Sequence, residues 1–149
     1  MRHTLILIAA AGSALLLAGA FVFQFFGYLP CEMCLWQRWP HAVAVVIGVI
    51  ALAVPGRALP VLGALAAATT SGIGVFHAGV EKGWWPGPTS CTGGGSGGLA
   101  GDLLSTDGPR LIMCDQVSWE LLTISMAGWN AIFSAVLVLI WLAAARART

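Results

Sequence analysis

The chain has 149 residues, 58% of them hydrophobic and 9% charged, with a net charge of +1. Soluble domains carry roughly 25% charged residues, so this composition excludes an ordinary water-soluble domain, and the lack of a basic patch excludes nucleic acid as a partner. The length suits one compact unit, and residues 1–149 read as a single all-α membrane domain of four transmembrane helices with a long, Gly-rich second periplasmic loop.

The first uncharged run extends from Thr4 to Leu29, and a helix of about 20 apolar residues spans a bilayer. Met1-Arg2-His3 followed later by Ala18-Gly19-Ala20 also suits a cleaved signal peptide. The apolar run, however, continues through Phe21-Val22-Phe23 and exceeds a signal core. It is read as an uncleaved span over 5–27.

A short loop, 28–38, follows and contains Pro30-Cys31-Glu32-Met33-Cys34 and then Gln37-Arg38. Two thiols at this spacing can close a small disulfide or hold a metal. Four cysteines with three histidines and no second Cys-x-x-Cys fit disulfide chemistry better than a zinc ribbon, so no metal is expected. A helix beginning near Glu32 puts Cys34 and Arg38 on one face, about one turn apart. Helix N-termini and guanidinium groups both favour the thiolate, which is the reactive form of cysteine. An arginine at this depth can also simply reach the headgroups; its closeness to Cys34 favours a role at the thiols.

The second span, 39–55, ends in the tight turn Val54-Pro55-Gly56-Arg57, and His41 at its start is expected at the interface. Along the third span, 59–80, Gly63, Ala67, Ser71, Gly74 and Ala78 recur at three- and four-residue steps. Such stripes let helices approach closely in lipid. His77 lies near the outer end of this span, and an ionisable residue inside a span is a functional candidate by default. An interfacial histidine bonded to a carbonyl is the alternative.

The outer segment 81–125 is centred on Cys91-Thr92-Gly93-Gly94-Gly95-Ser96-Gly97-Gly98, a flexible linker by composition. No Gly-Lys-Ser/Thr follows, which excludes a phosphate-cradling loop. Leu103-Leu104 and Leu111-Ile112-Met113 offer apolar contacts to a partner or to lipid, and Trp119, Leu121, Leu122 and Ile124 suggest a short interfacial segment. Ser125 is a suitable N-cap for the last span, 126–145. A loop with a cysteine near each end, Cys91 and Cys114, can present a disulfide to a soluble protein and carry it to a fixed pair. A structural disulfide closing the loop is the alternative.

Four spans put both termini on one side. That side holds Arg2, Arg57, Arg146 and Arg148 and no acid, whereas Glu32, Glu81, Asp102, Asp107, Asp115 and Glu120 all fall on the other. The positive-inside rule makes the termini cytoplasmic and the cysteines periplasmic. Trp36, Trp39, Trp84, Trp85, Trp119 and Trp129 cluster at the outer boundary, as interfacial anchors do. Disulfides persist in the oxidising periplasm.

Taken in order, the four spans, Pro-Cys-x-x-Cys with Gln37-Arg38, the second cysteine pair and Ser125-Met126-Ala127-Gly128-Trp129-Asn130 resemble the DsbB family of bacterial inner-membrane thiol oxidases. That resemblance implies a protein that takes electrons from a periplasmic thioredoxin-fold (DsbA-like) dithiol and passes them to a quinone, ubiquinone or menaquinone, so sustaining disulfide formation. It implies that Cys31 and Cys34 are the pair reoxidised by quinone, with Cys34 nearer the ring. Arg38 and His77 would be the quinone-binding residues. Cys91 and Cys114 would oxidise the partner, which attacks Cys91, with a Cys31–Cys114 bond during turnover. A vitamin K epoxide reductase-like redox protein is the nearest alternative, but there the loop pair usually precedes the Cys-x-x-Cys. A non-enzymatic membrane protein with two structural disulfides is the other.

Overall fold

The computed structural model describes residues 1–92 and 113–147. Among these residues are four long helices: α1 (Arg2–Phe25), α2 (Glu32–Ala53), α3 (Ala58–Glu81) and α4 (Met126–Arg146). Each is long and apolar enough to cross a membrane, and together they form the four-helix bundle of a multi-pass membrane protein. The Gly-rich tract, Leu103-Leu104, Leu111-Ile112, Asp102, Asp107, Arg110 and Arg148 lie outside the described residues.

The bundle buries small side chains and exposes large ones. Ala9, Ala44, Ala51, Ala64, Ala67 and Ala144 are buried, while Leu15, Val49, Leu65 and Leu139 face outward. Lipid tails are as apolar as leucine, so close backbone packing drives association instead. The small-residue stripe of α3 forms its seam with α4. The Trp141 ring lies over Gly63, where an added Cβ would stand 2.7 Å from the indole. One Cβ on Gly74 would stand 2.9 Å from the Ala127 carbonyl oxygen. Between them Ser71 Oγ donates to the Ala131 carbonyl at 2.9 Å.

At the end away from the cysteines, Arg2 reaches across to donate to the Gly56 carbonyl at 2.8 Å. This bond joins the N-terminus to the α2–α3 turn, which Gly56 makes at φ +125°. At the cysteine-bearing end, the segment expected at the interface is a hairpin of β1 (Glu120–Leu121) and β2 (Ile124–Ser125). Leu122 (φ 54°) and Thr123 (φ 63°) form its two-residue turn, the left-handed geometry that matches strand twist. Leu121 and Leu122 are exposed, and Trp119 packs edge-on against Phe23 of α1 at 5.1 Å. Ser125 caps α4 as expected, accepting from the Gly128 N–H at 3.2 Å.

His41, expected at the interface, packs into the bundle interior and is 3% exposed. The helix that carries it starts at Glu32, which puts His41 more than two turns from the helix end.

Candidate functional site

Cys31 occupies the N-cap of α2, where its Sγ accepts from the Cys34 N–H at 3.2 Å. The Cys-x-x-Cys spacing then brings the two sulfurs together. The free Cys31 thiol donates to Cys34 Sγ at 2.9 Å. This hydrogen bond, reinforced by burial, holds the Cys31 thiol well above the ordinary thiol range. While it carries its proton, Cys31 donates this bond to the Cys34 sulfur and stabilises negative charge there.

Cys91 and Cys114 are joined as a disulfide. The Cys114 N–H donates to the Cys91 carbonyl at 2.6 Å, so the two chain segments also pair through their backbones. Both cysteines are buried, at 5% and 0% exposure. The structure holds the loop pair inward, next to the fixed pair, and not presented to solvent. Cys91, Cys114, Cys31, Met33 and Val80 form one apolar cluster, with Cys34 against it. The loop disulfide is docked on the fixed pair.

His77 joins the same site from α3, its Nε2 3.5 Å from Cys31 Sγ and 3.8 Å from Glu81 Oε1. Its tautomer follows from its other neighbours. Gln37 Nε2 lies 2.9 Å from His77 Nδ1 and also 3.3 Å from the Met33 carbonyl. A carbonyl only accepts, so this Gln37 atom is the amide nitrogen and donates to Nδ1. The His77 proton is therefore on Nε2, facing Cys31 and Glu81. Cys31 Sγ, Cys34 Sγ and His77 lie within 4.8 Å of one another, as metal donors would. The proton on Nε2 occupies the lone pair a metal would need, and the sulfurs already share a hydrogen bond, which favours redox chemistry over metal binding.

The network continues into the bundle. Thr70 Oγ1 donates to the Gln37 carbonyl at 3.1 Å. Having spent its proton there, it can only accept from Asn130 Nδ2, at 3.1 Å. The same amide donates to Gln37 Oε1 at 2.7 Å. Asn130 Oδ1 must then accept from His41 Nε2, at 2.9 Å. Gln37, Thr70, Asn130 and His41 had no assigned role in the sequence reading. Polar side chains inside otherwise apolar spans were the available signal.

A cavity of about 370 Å³, walled by α1, α2, α4 and the hairpin, reaches the site. This volume is within the range of small-molecule pockets. Leu16, Phe23, Trp129 and Phe133 supply apolar wall, while Cys34, Arg38, His41 and Asn130 supply sulfur and polar groups. Arg38 is held toward α1: it donates to Gln24 Oε1 at 2.7 Å and the Ala20 carbonyl at 3.3 Å. Its guanidinium also sits 4.8 Å above the Phe21 ring. The structure thus brings Cys31, Cys34, Cys91, Cys114 and His77 into one cluster and places Arg38 in the adjoining cavity wall. Arg38 bonds to neither sulfur nor to His77 among the described residues.

Comparison with known proteins gives a consistent pattern. The family profile described as "Disulfide bond formation protein DsbB" matches residues 2–144. A protein named "Disulfide bond formation protein B" from Polaromonas sp. (strain JS666 / ATCC BAA-500) is 30% identical over 149 residues, covering 95% of this chain and 88% of that protein. One of the same name from Verminephrobacter eiseniae (strain EF01-2) is 31% identical over 150 residues, covering 95% and 84%. No solved structure matches the chain significantly.

Proposed function

Since the chain belongs to the DsbB family of disulfide bond formation proteins, we propose that it is a quinone-dependent thiol oxidase of the bacterial inner membrane. Its termini are cytoplasmic and its cysteines periplasmic, and it reoxidises a soluble thioredoxin-fold, DsbA-like dithiol. The observation that carries this reading is the position of the Cys31–Cys34 pair. On one side lies the docked Cys91–Cys114 disulfide, and on the other an apolar cavity walled in part by Cys34 and Arg38.

Each residue has a chemical task in this scheme. The partner's thiolate attacks Cys91, and Cys114 leaves as a thiolate. The second partner thiol displaces Cys91, which completes the partner's disulfide and leaves Cys91 and Cys114 reduced. Cys114 then attacks Cys31 of the oxidised Cys31–Cys34 pair and expels Cys34 as a thiolate. Attack of Cys91 on Cys114 restores the loop disulfide and leaves Cys31 and Cys34 as the reduced pair. The hydrogen bond from Cys31 and the nearby guanidinium stabilise negative charge on Cys34.

The cavity suits a quinone ring: its walls are mainly apolar, and Cys34 and the donor-bearing Arg38 are among its lining residues. Bound there, a quinone would supply the two-electron, two-proton acceptor that conversion of the Cys31–Cys34 dithiol to a disulfide requires. Arg38 carries a permanent charge and several donors for an oxygen acceptor. His77 directs its Nε2–H at Cys31 and holds the sulfur in place.

The test is a purified-protein assay with a reduced thioredoxin-fold dithiol and a benzoquinone. One quinol per partner disulfide supports the reading. Partner oxidation without quinol formation overturns it.

A further inference from the structure

Glu81, the last residue of α3, is a buried acid that the thiol chemistry leaves without a task. Its side chain is 6% exposed, and its Oε1 stands 3.8 Å from His77 Nε2. It lines the cavity together with Cys34, near enough for its charge to act on the Cys34 sulfur. Among the described residues no cation pairs with it. His77 is neutral, because Nδ1 accepts from Gln37 and the ring's single proton is on Nε2. Lys82 faces the Trp84 ring, and Arg38 is tied to Gln24 and Ala20 of α1. The other titratable groups of the cavity wall are Tyr28, Cys31 and His41; α1, the hairpin and α4 supply none. The hairpin offers the carboxyl only the neutral Ser125 hydroxyl.

These surroundings limit the charge of the site. The hydrogen bond from Cys31 stabilises negative charge on Cys34. A second negative charge beside it, in an apolar site without a bound cation, is opposed, as in paired carboxylates that share one proton. Reducing the Cys31–Cys34 disulfide adds two electrons, and the Cys31 thiol takes only one proton.

We propose that Glu81 is the redox-linked proton site of the membrane pair, binding the second proton when Cys31–Cys34 is reduced and releasing it when the pair is oxidised. This rests on the reading of Cys31–Cys34 as a redox pair. Two electrons and two protons enter from the partner dithiol. The Cys31–Cys34 bond breaks, one proton goes to Cys31 and the other to Glu81, and Cys34 is the thiolate. Oxidation reforms the bond and gives up both protons, the number that quinol formation consumes.

One test needs no variant to fold. Infrared difference spectra of the full chain in lipid nanodiscs, reduced with dithiothreitol minus oxidised, should show a protonated-carboxyl band in the reduced form, and Glu81→Gln should lose it. A wild type without the band, or a band that Glu81→Gln leaves unchanged, would overturn the proposal. The other test is the equilibrium of Cys31–Cys34 with a dithiothreitol buffer across neutral pH, read by alkylation and peptide mapping. Dithiothreitol releases two protons on oxidation and the wild-type pair takes up two, so the constant should not vary with pH. In Glu81→Gln the pair should take up one, and the constant should rise toward the reduced pair by about tenfold per pH unit. A pH-dependent wild type, or a pH-independent variant, would overturn the proposal. A pair that dithiothreitol does not reduce would remove the redox reading itself, and the proposal with it.

Discussion

Gln37 Nε2 stands 2.9 Å from His77 Nδ1 while donating to the Met33 carbonyl as well, and this pair links the thiol site to the centre of the bundle. A single amide on α2 decides which face of an imidazole on α3 is presented to Cys31. Nitrogen NMR of the ring should show His77 with a bare Nδ1 and a protonated Nε2. In Gln37→Leu, both His77 Nδ1 and one Asn130 donor lose their partner in a buried setting. Thermal unfolding should then show a loss of about 1–3 kcal/mol per unsatisfied group. A protonated Nδ1 in the wild type would contradict the assignment.

The docked loop disulfide leads to a second expectation. Val80 packs against Cys91 and Cys114 in the cluster over Cys31, and neither loop cysteine is open to a soluble protein. On the proposed route, the partner reaches Cys91 only when this cluster opens. Val80→Ala weakens the docking by removing buried apolar contact, by about 0.5–1.5 kcal/mol. Stopped-flow reduction of the loop disulfide by the partner should be several-fold faster in this variant. A slower reaction would show that the docked form is the one recognised.

Packing at the opposite end is equally specific. An alanine at Gly63 meets the Trp141 indole at 2.7 Å, and that ring is fully buried. Overpacking of this kind costs about 1–3 kcal/mol. Gly63→Ala should lower the unfolding temperature in detergent, and Gly72→Ala, with open space around it, should not. Equal effects would mean that the α3–α4 seam is looser than described.

The Arg38 assignment is tested kinetically. Arg38→Ala removes a donor and a charge from the cavity wall while leaving the thiol cluster intact. The apparent KM for quinone should rise by tenfold or more, since hydrogen bonds to charged groups contribute about 1.5–3 kcal/mol. An unchanged KM for quinone with a slower partner reaction would place Arg38 elsewhere in the cycle.

Much of this was legible in the chain. Uncharged runs mark four helices because a charge in lipid is costly. Ser125 marks the start of α4, and Gly63, Ser71 and Gly74 mark the α3 seam by spacing alone. The start of α2 near Glu32 was legible, but the partner of His41 was not. The bond from His41 to Asn130 depends on how α2 and α4 are rotated about their axes, which hydropathy does not encode. The burial of Cys91 and Cys114 was hidden for a related reason, as a glycine-rich neighbourhood describes freedom and not where the ends come to rest.

The order of thiol transfer is tested most directly by a trapping experiment. Cys114→Ser removes the thiol that leaves Cys91 when the partner attacks and that then carries the electrons on to Cys31. A partner carrying a single reactive cysteine, activated as a mixed disulfide, should then accumulate as a covalent complex on a non-reducing gel. Peptide mapping should locate the bond at Cys91, with Cys31 and Cys34 unmodified. Capture of the partner on Cys31, with Cys91 left as a free thiol, would contradict the proposed route from the soluble dithiol through the loop to the membrane pair.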